Sequence, residues 1–167
     1  MKNYRRVSPD KFNCCPFSLI GDEWMLVSAA KPDGKVNFMT ASWGGVGVLW
    51  GKNVCFIFVR PSRYTYEFIE ASSRVSLSFF DADYRSKLAF CGTKSGREYD
   101  KAEECGFHVF LEGGCPVFDE AKITIKARKL YASAFKPEDF VDTSCIDDKN
   151  NLHKMYVCEI EEIDVSE

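Results

Sequence analysis

Histidine is scarce in this chain of 167 residues: only His108 and His153 are present. Eight cysteines accompany them, yet none shows C-x-x-C spacing, and Cys14–Cys15 are adjacent. A closed Cys/His metal site needs ligands that can converge on one ion, so no metal is expected. Two histidines also leave no convincing Ser/His/Asp or Cys/His nucleophile set. No apolar run approaches the roughly 20 residues of a membrane-spanning helix. The opening "MKNYRRVSPDK" is polar and has no apolar core of a secretory leader. Neither the G-x-G-x-x-G dinucleotide fingerprint nor the G-x-x-x-x-G-K-[ST] phosphate loop occurs. Internal repeats, low-complexity tracts and long linkers are missing too, which points to one domain over residues 1–167.

Charge of one sign is also limited. The net charge is −3, split as +4 over residues 1–80 and −7 over 81–167. With no basic stripe interleaved with aromatics, nucleic acid is not an expected partner. The weakly basic first half suits a small anion or is ordinary surface charge. Cys55 and Cys158 sit singly inside apolar runs, as buried thiols of a reducing cytoplasm would.

What is abundant is apolar and aromatic: 46% hydrophobic residues and fourteen Phe, enough for a packed core. The periodicity is mostly that of strands. Strands are expected at 23–30 and 36–43, joined by a "KPDGK" turn with Asp33-Gly34 at its tip. Further strands are expected at 53–59, 74–80, 122–134 and 154–165. In 74–80, Val75, Leu77 and Phe79 alternate with Ser76 and Ser78. In 122–134, Ile123, Ile125 and Ala127 oppose Thr124, Lys126 and Arg128. Short helices are expected at 65–71, with Ser62 or Thr65 as its cap, at 84–90, and at 99–105, ended by Gly106. Six or more strands with few helices give a mainly β domain, a small barrel or sandwich.

Three stretches carry the chemistry. In "FVRPSRYTYEFIEAS" a buried strand ends in a turn that opens a helix. A helix N-terminus offers unpaired N–H groups, and Arg60, Ser62, Arg63 and Thr65 could add bonds to a phosphate. The plain alternative is a capped helix with solvent-facing arginines. In "NFMTASWGGVG" the chain becomes small and glycine-rich, which lets backbone approach a flat ligand or merely leads into a loop. In "FCGTKSGREYDK", Gly92 and Gly96 bracket Thr93, Lys94 and Ser95 in a polar loop. Cys91 is either buried or, beside Lys94 and Arg97, a reactive thiol. His153, in "NLHKMYVCEI", precedes the last strand and is either structural or a proton and hydrogen-bond partner at a ligand.

In this order and separation the stretches resemble the flavin reductase-like family, the FMN-binding split-barrel group that includes flavoredoxins, over about residues 8–165. The resemblance implies a Greek-key-like split β-barrel, a homodimer, and FMN near the subunit interface. It implies phosphate contacts from Arg60, Ser62, Arg63 and Thr65. Met39, Thr40, Ala41, Ser42 and Trp43 would line the isoalloxazine. Cys91, Gly92, Thr93, Lys94 and Ser95 would approach the ring or ribityl chain, with Lys101 nearby. His153 is the candidate catalytic residue beside the flavin. Many flavin reductases carry a Gly-Asp-His type run late in the chain. Here "NNLHKMYVCEI" is closer to the flavoredoxin-like branch. Two versions stand open: a flavin reductase taking hydride from NAD(P)H stacked on the flavin, and a flavoredoxin-type carrier passing electrons to partner proteins. A non-enzymatic flavin or haem binder, and a relative of pyridoxamine-phosphate oxidases, are the rivals. The last is weakened by the lack of a basic cluster beyond Arg60 and Arg63.

Overall fold

The computed structural model describes residues 3–167. Its strands are β1 (Tyr4–Val7), β2 (Met25–Ala30), β3 (Val36–Ala41), β4 (Gly44–Leu49), β5 (Lys52–Val59), β6 (Arg74–Phe79), β7 (Val109–Glu112), β8 (Cys115–Phe118), β9 (Ile123–Ala134) and β10 (Lys154–Ser166). The helices are α1 (Tyr64–Ala71), α2 (Arg85–Thr93) and α3 (Lys101–Cys105), with short 3-10 turns and one π-helical turn at Phe17–Asp22. The domain is mainly β, as the alternating patterns imply.

Strand order in the main sheet is β3-β2-β6-β9-β10-β5-β4, with β1 added beside β10 and every pairing antiparallel. The path does not close: β3 and β4 are its two edges, joined only by Ser42 and Trp43. The register between β9 and β10 shifts twice, between Val157 and Cys158 and between Ile160 and Glu162. Each extra residue bends the long strands and increases their twist. One face packs Val27, Met39, Ile57, Leu77, Ile125 and Tyr156 against Phe68 and Ile69 of α1. A second apolar cluster joins Phe38, Phe80, Phe107 and Phe118 under α2 and α3.

Several expectations need correction. Gly44–Gly47 is edge strand, not loop. A Cβ on Gly44 would lie 2.9 Å from the Phe56 carbonyl oxygen and 3.1 Å from Met25 Cε, so the glycine serves packing within the fold. The serines of β6 face a second layer rather than water: Ser76 and Ser78 are fully buried, and the Ser76 hydroxyl donates to the Pro116 carbonyl of β8. The β7–β8 hairpin and β1 carried too little alternation in four residues each to be expected. Lys126, on the polar side of β9, is 3% exposed. Its ammonium lies 2.7 Å from Glu162, 2.8 Å from Asp164 and 3.0 Å from Glu112, so it holds together the carboxylates that would otherwise invite a cation. No helix among the described residues is long and apolar enough to cross a membrane.

Candidate functional site

The Arg60–Tyr66 turn leaves the end of β5, where Val59 is fully buried and anchors it. Arg63 is the N-cap of α1, with extended backbone (φ −74°, ψ 132°), and no side chain caps the helix. The first N–H groups of an α-helix have no partner within it, so this end stays available to an anion. Ser62 and Thr65 do not cap, contrary to expectation. The Ser62 hydroxyl accepts from Asn151 Nδ2 at 2.9 Å, and the buried Thr65 Oγ1 accepts from Asn37 Nδ2 at 2.8 Å.

The two arginines differ. Arg60 is largely covered, pairs with the Asp147 carboxylate, and donates to the Asn151 carbonyl at 3.2 Å. Arg63 donates to the Gly92 carbonyl at 2.8 Å and meets no carboxylate within 4 Å among the described residues. Its charge is therefore uncompensated locally, whereas that of Arg60 is matched.

Two adjoining clefts meet here. One, about 210 Å3, lies between the end of β3 and the end of β5; its lining runs through Met39, Thr40, Ala41, Ser42 and Trp43 and continues to Phe58, Arg60, Arg63 and His153. The other, about 100 Å3, lies at the start of α1, between Ser62, Arg63 and Thr65 on one side and Cys91, Thr93, Lys94, Ser95 and Lys101 on the other. Met39 and Arg63 line both. Every candidate residue from the sequence lines one cleft or the other except Gly92. Gly92 holds Arg63 through its carbonyl instead, and a Cβ there would press on Thr40 at 3.3 Å.

The local electrostatics follow from burial. The Trp43 and His153 rings are 5.2 Å apart. Burial first, and then the Arg60 charge, lower the His153 pKa from 6.5, which keeps the ring neutral near pH 7. Lys101 is 4% exposed; its ammonium donates to the Phe38 carbonyl and, at 3.3 Å, to that of Cys91. Burial, and to a lesser degree repulsion from Arg63, lower its pKa. The Cys91 thiol is 1% exposed and 3.8 Å from Cys105 Sγ. Burial pushes its pKa up to about 12. That is the opposite of the electropositive, open setting a reactive thiolate needs.

Sequence reasoning missed Asn37, Phe58, Gly96, Asp147 and Asn151. Asn37 is a buried polar residue in a strand, which is a signal by itself. Gly96 is fixed by contact: a Cβ would fall 2.1 Å from Asn37 Oδ1. Asp147 and Asn151 lie far along the chain from the residues they hold and carry no local signature.

Comparison with known proteins agrees with this architecture. The model of the family described as "Flavin reductase like domain" matches residues 17–167. Flavoredoxin from Methanosarcina acetivorans superposes with a TM-score of 0.68 at 24% identity, covering 87% of this chain and 68% of that one. An FMN-binding domain of a flavin reductases-like enzyme from Shewanella baltica OS155 gives 0.71 at 15% identity, covering 99% and 78%. A split barrel domain protein from Shewanella frigidimarina NCIMB 400 gives 0.69 at 12% identity, covering 95% and 77%. No curated protein sequence matches the chain. At these identities the structures establish the fold, a split barrel, and it is the domain model spanning nearly the whole sequence that establishes kinship: the chain belongs to the flavin reductase-like domain family.

Proposed function

We propose that the chain binds FMN across the two clefts and works as a redox protein of the flavin reductase type. The observation that carries this reading is the change of chemistry along one continuous site. The cleft between the ends of β3 and β5 offers strand backbone and aromatic rings. The adjoining one offers an uncompensated arginine, a buried lysine, hydroxyls and a helix N-terminus. A flat ring joined to a phosphate has that same polarity from end to end. The residues also fit at close range: the approach of Gly96 to Asn37 and of Gly92 to Thr40 leaves no room for side chains on the loop that would flank the ligand.

In this reading Arg63 is the phosphate ligand, with Ser62, Thr65, Thr93, Lys94 and Ser95 supplying polar contacts and Lys101 a buried positive charge. Met39–Trp43 orient the ring through backbone and through Trp43. Arg60, matched by Asp147, is a positioning residue that fixes the turn. Neutral His153 is the hydrogen-bond partner at the ring end and holds or releases a proton there. FMN, when bound, would supply hydride and single-electron chemistry; the chain's part is orientation, polarity and exclusion of water. NAD(P)H is the proposed donor in the reductase version, and a partner protein takes its place in the carrier version. We extend the reading to a homodimer in the cytoplasm; exposed Trp43, Val48, Trp50 and Tyr131 support the dimer.

The deciding experiment is a visible spectrum of the purified protein with added FMN, followed by anaerobic titration with NADH and then NADPH. Bound flavin bleached by either nucleotide supports the reductase. Bound flavin that neither reduces supports the carrier. A protein that stays colourless and takes up no FMN refutes both.

A further inference from the structure

The α2–α3 segment that walls the phosphate-end cleft carries a thiol at each end, and the flavin reading gives neither any chemistry. Cys91 stands in the last turn of α2, and Cys105 ends α3. Their sulfurs lie 3.8 Å apart although 14 positions separate them in the chain. Thr93, Lys94, Ser95, Gly96 and Lys101, which form the loop side of the cleft, all lie between them.

The surroundings suit oxidation of this pair by a small molecule. Cys105 is 5% exposed against 1% for Cys91, so an oxidant reaches Cys105 first. Burial raises the Cys105 pKa, while the contact with Cys91 and the charges of Lys87 and Lys101 act against that rise. The Lys101 ammonium is itself buried and meets carbonyls but no carboxylate among the described residues. An anionic sulfur would supply the counter-charge it lacks. At rest burial keeps both groups as thiols, so the pair is slow and selective rather than generally reactive.

A movement at Cys91 would reach both cations of the site. The Cys91 carbonyl accepts from Lys101 at 3.3 Å, and the next carbonyl, that of Gly92, accepts from Arg63 at 2.8 Å. Both cations therefore hang on the same turn of α2. Bonded sulfurs sit about 2.05 Å apart, so a bridge draws that turn toward α3 and shifts the two anchors with it.

We propose that Cys91 and Cys105 close into a reversible disulfide under peroxide, and that the bridge loosens the phosphate end of the site. The Cys105 sulfur attacks hydrogen peroxide, the O–O bond breaks, one water leaves, and a sulfenic acid forms. The Cys91 sulfur then attacks that sulfur; the S–S bond forms, the S–O bond breaks, and a second water leaves. Two electrons pass from the thiols to the peroxide, and their two protons end in the waters. The loosening rests on the flavin reading of the cleft; the bridge does not.

The test is treatment of the folded chain with hydrogen peroxide, blocking of free thiols, and peptide mapping after trypsin. Cleavage at Lys94, Arg97 and Lys101 separates the two cysteines unless they are bridged. A linked pair of peptides should appear, faster as pH rises from about 7 to about 9, and should vanish with dithiothreitol. Cys55 and Cys158 also face each other, across β5 and β10, but both are fully buried and line neither cleft, so they should stay free. The oxidised chain should bind FMN on the order of fivefold more weakly than the reduced one. In Cys105→Ala, peroxide should leave FMN affinity unmoved. Thiols at 91 and 105 that stay free, or that pair elsewhere, overturn the proposal and leave FMN binding standing. A bridge with unchanged FMN affinity overturns the loosening. Failure of both forms to bind FMN removes the flavin reading and the loosening with it, while the peptide map still decides the bridge.

Discussion

Arg60 and Arg63 lie three residues apart and carry the same charge, but their partners give them different work. Asp147 matches Arg60, while Arg63 meets only a carbonyl. Arg63→Ala should therefore weaken FMN binding by about 1.5–3 kcal/mol, the worth of a charge-assisted hydrogen bond. Arg60→Ala should cost less, and equal losses in a binding titration would contradict the division of roles. His153 gives a pH signature. Its folded pKa lies below 6.5 because burial and Arg60 disfavour the imidazolium. The unfolded chain then binds more protons as pH drops below 6.5. The stability from the neutral ring is complete above 6.5 and is lost as pH falls through the folded midpoint. An NMR titration of the ring should find that midpoint below 6.5, and His153→Gln should remove this part of the acid sensitivity. A midpoint at or above 6.5 would rule the burial argument out. Both arginines and the histidine were legible in the sequence as candidates. Their partners were not, because Asp147 is 87 residues from Arg60 and no local pattern announces it.

Edge strand β4 shows how an element can mislead. Three glycines in "GGVGVL" read as loop or as a ligand-facing surface, since glycine weakens strands. In the fold only Gly44 is crowded, while Gly45 and Gly47 are not. A Cβ on Gly44 would meet backbone at 2.9 Å, whereas one on Gly45 would meet only the Phe56 ring at an ordinary 3.7 Å. Gly44→Ala should thus cost about 1–3 kcal/mol in urea unfolding, as overpacking does. Gly45→Ala should be neutral or stabilise by about 0.4–1 kcal/mol through the unfolded chain. Similar effects at the two sites would refute the contact argument. The longer strands were plain from alternation, and α3 was plain at its end, where Gly106 is left-handed at φ 61°. Its start was not. Asp100 caps the helix, so Tyr99 and Asp100 fall outside it, and the Tyr99 ring packs edge-on to Phe90 instead.

At the scale of the molecule, the uncovered apolar residues matter most. Trp43, on the β3–β4 connection, is 57% exposed, Val48 on edge strand β4 73%, and Trp50 in the turn after it 60%. An exposed group of this kind marks an association surface. Sedimentation equilibrium should show the 19.0 kDa chain as a dimer, and Val48→Lys should shift it toward monomer. A wild-type monomer at all concentrations would refute the dimer. The sequence by itself determined the mainly β class, the strand and helix positions that repeat clearly, and the three stretches that line the site. It did so because side-chain period and turn chemistry are local properties. Only the tertiary structure decided which arginine meets a carboxylate, why Ser76, Ser78 and Lys126 are buried, and that Lys101 is buried against the Phe38 and Cys91 carbonyls. Each of these depends on groups brought together from distant parts of the chain, and burial and pairing are properties of that assembly rather than of any stretch within it.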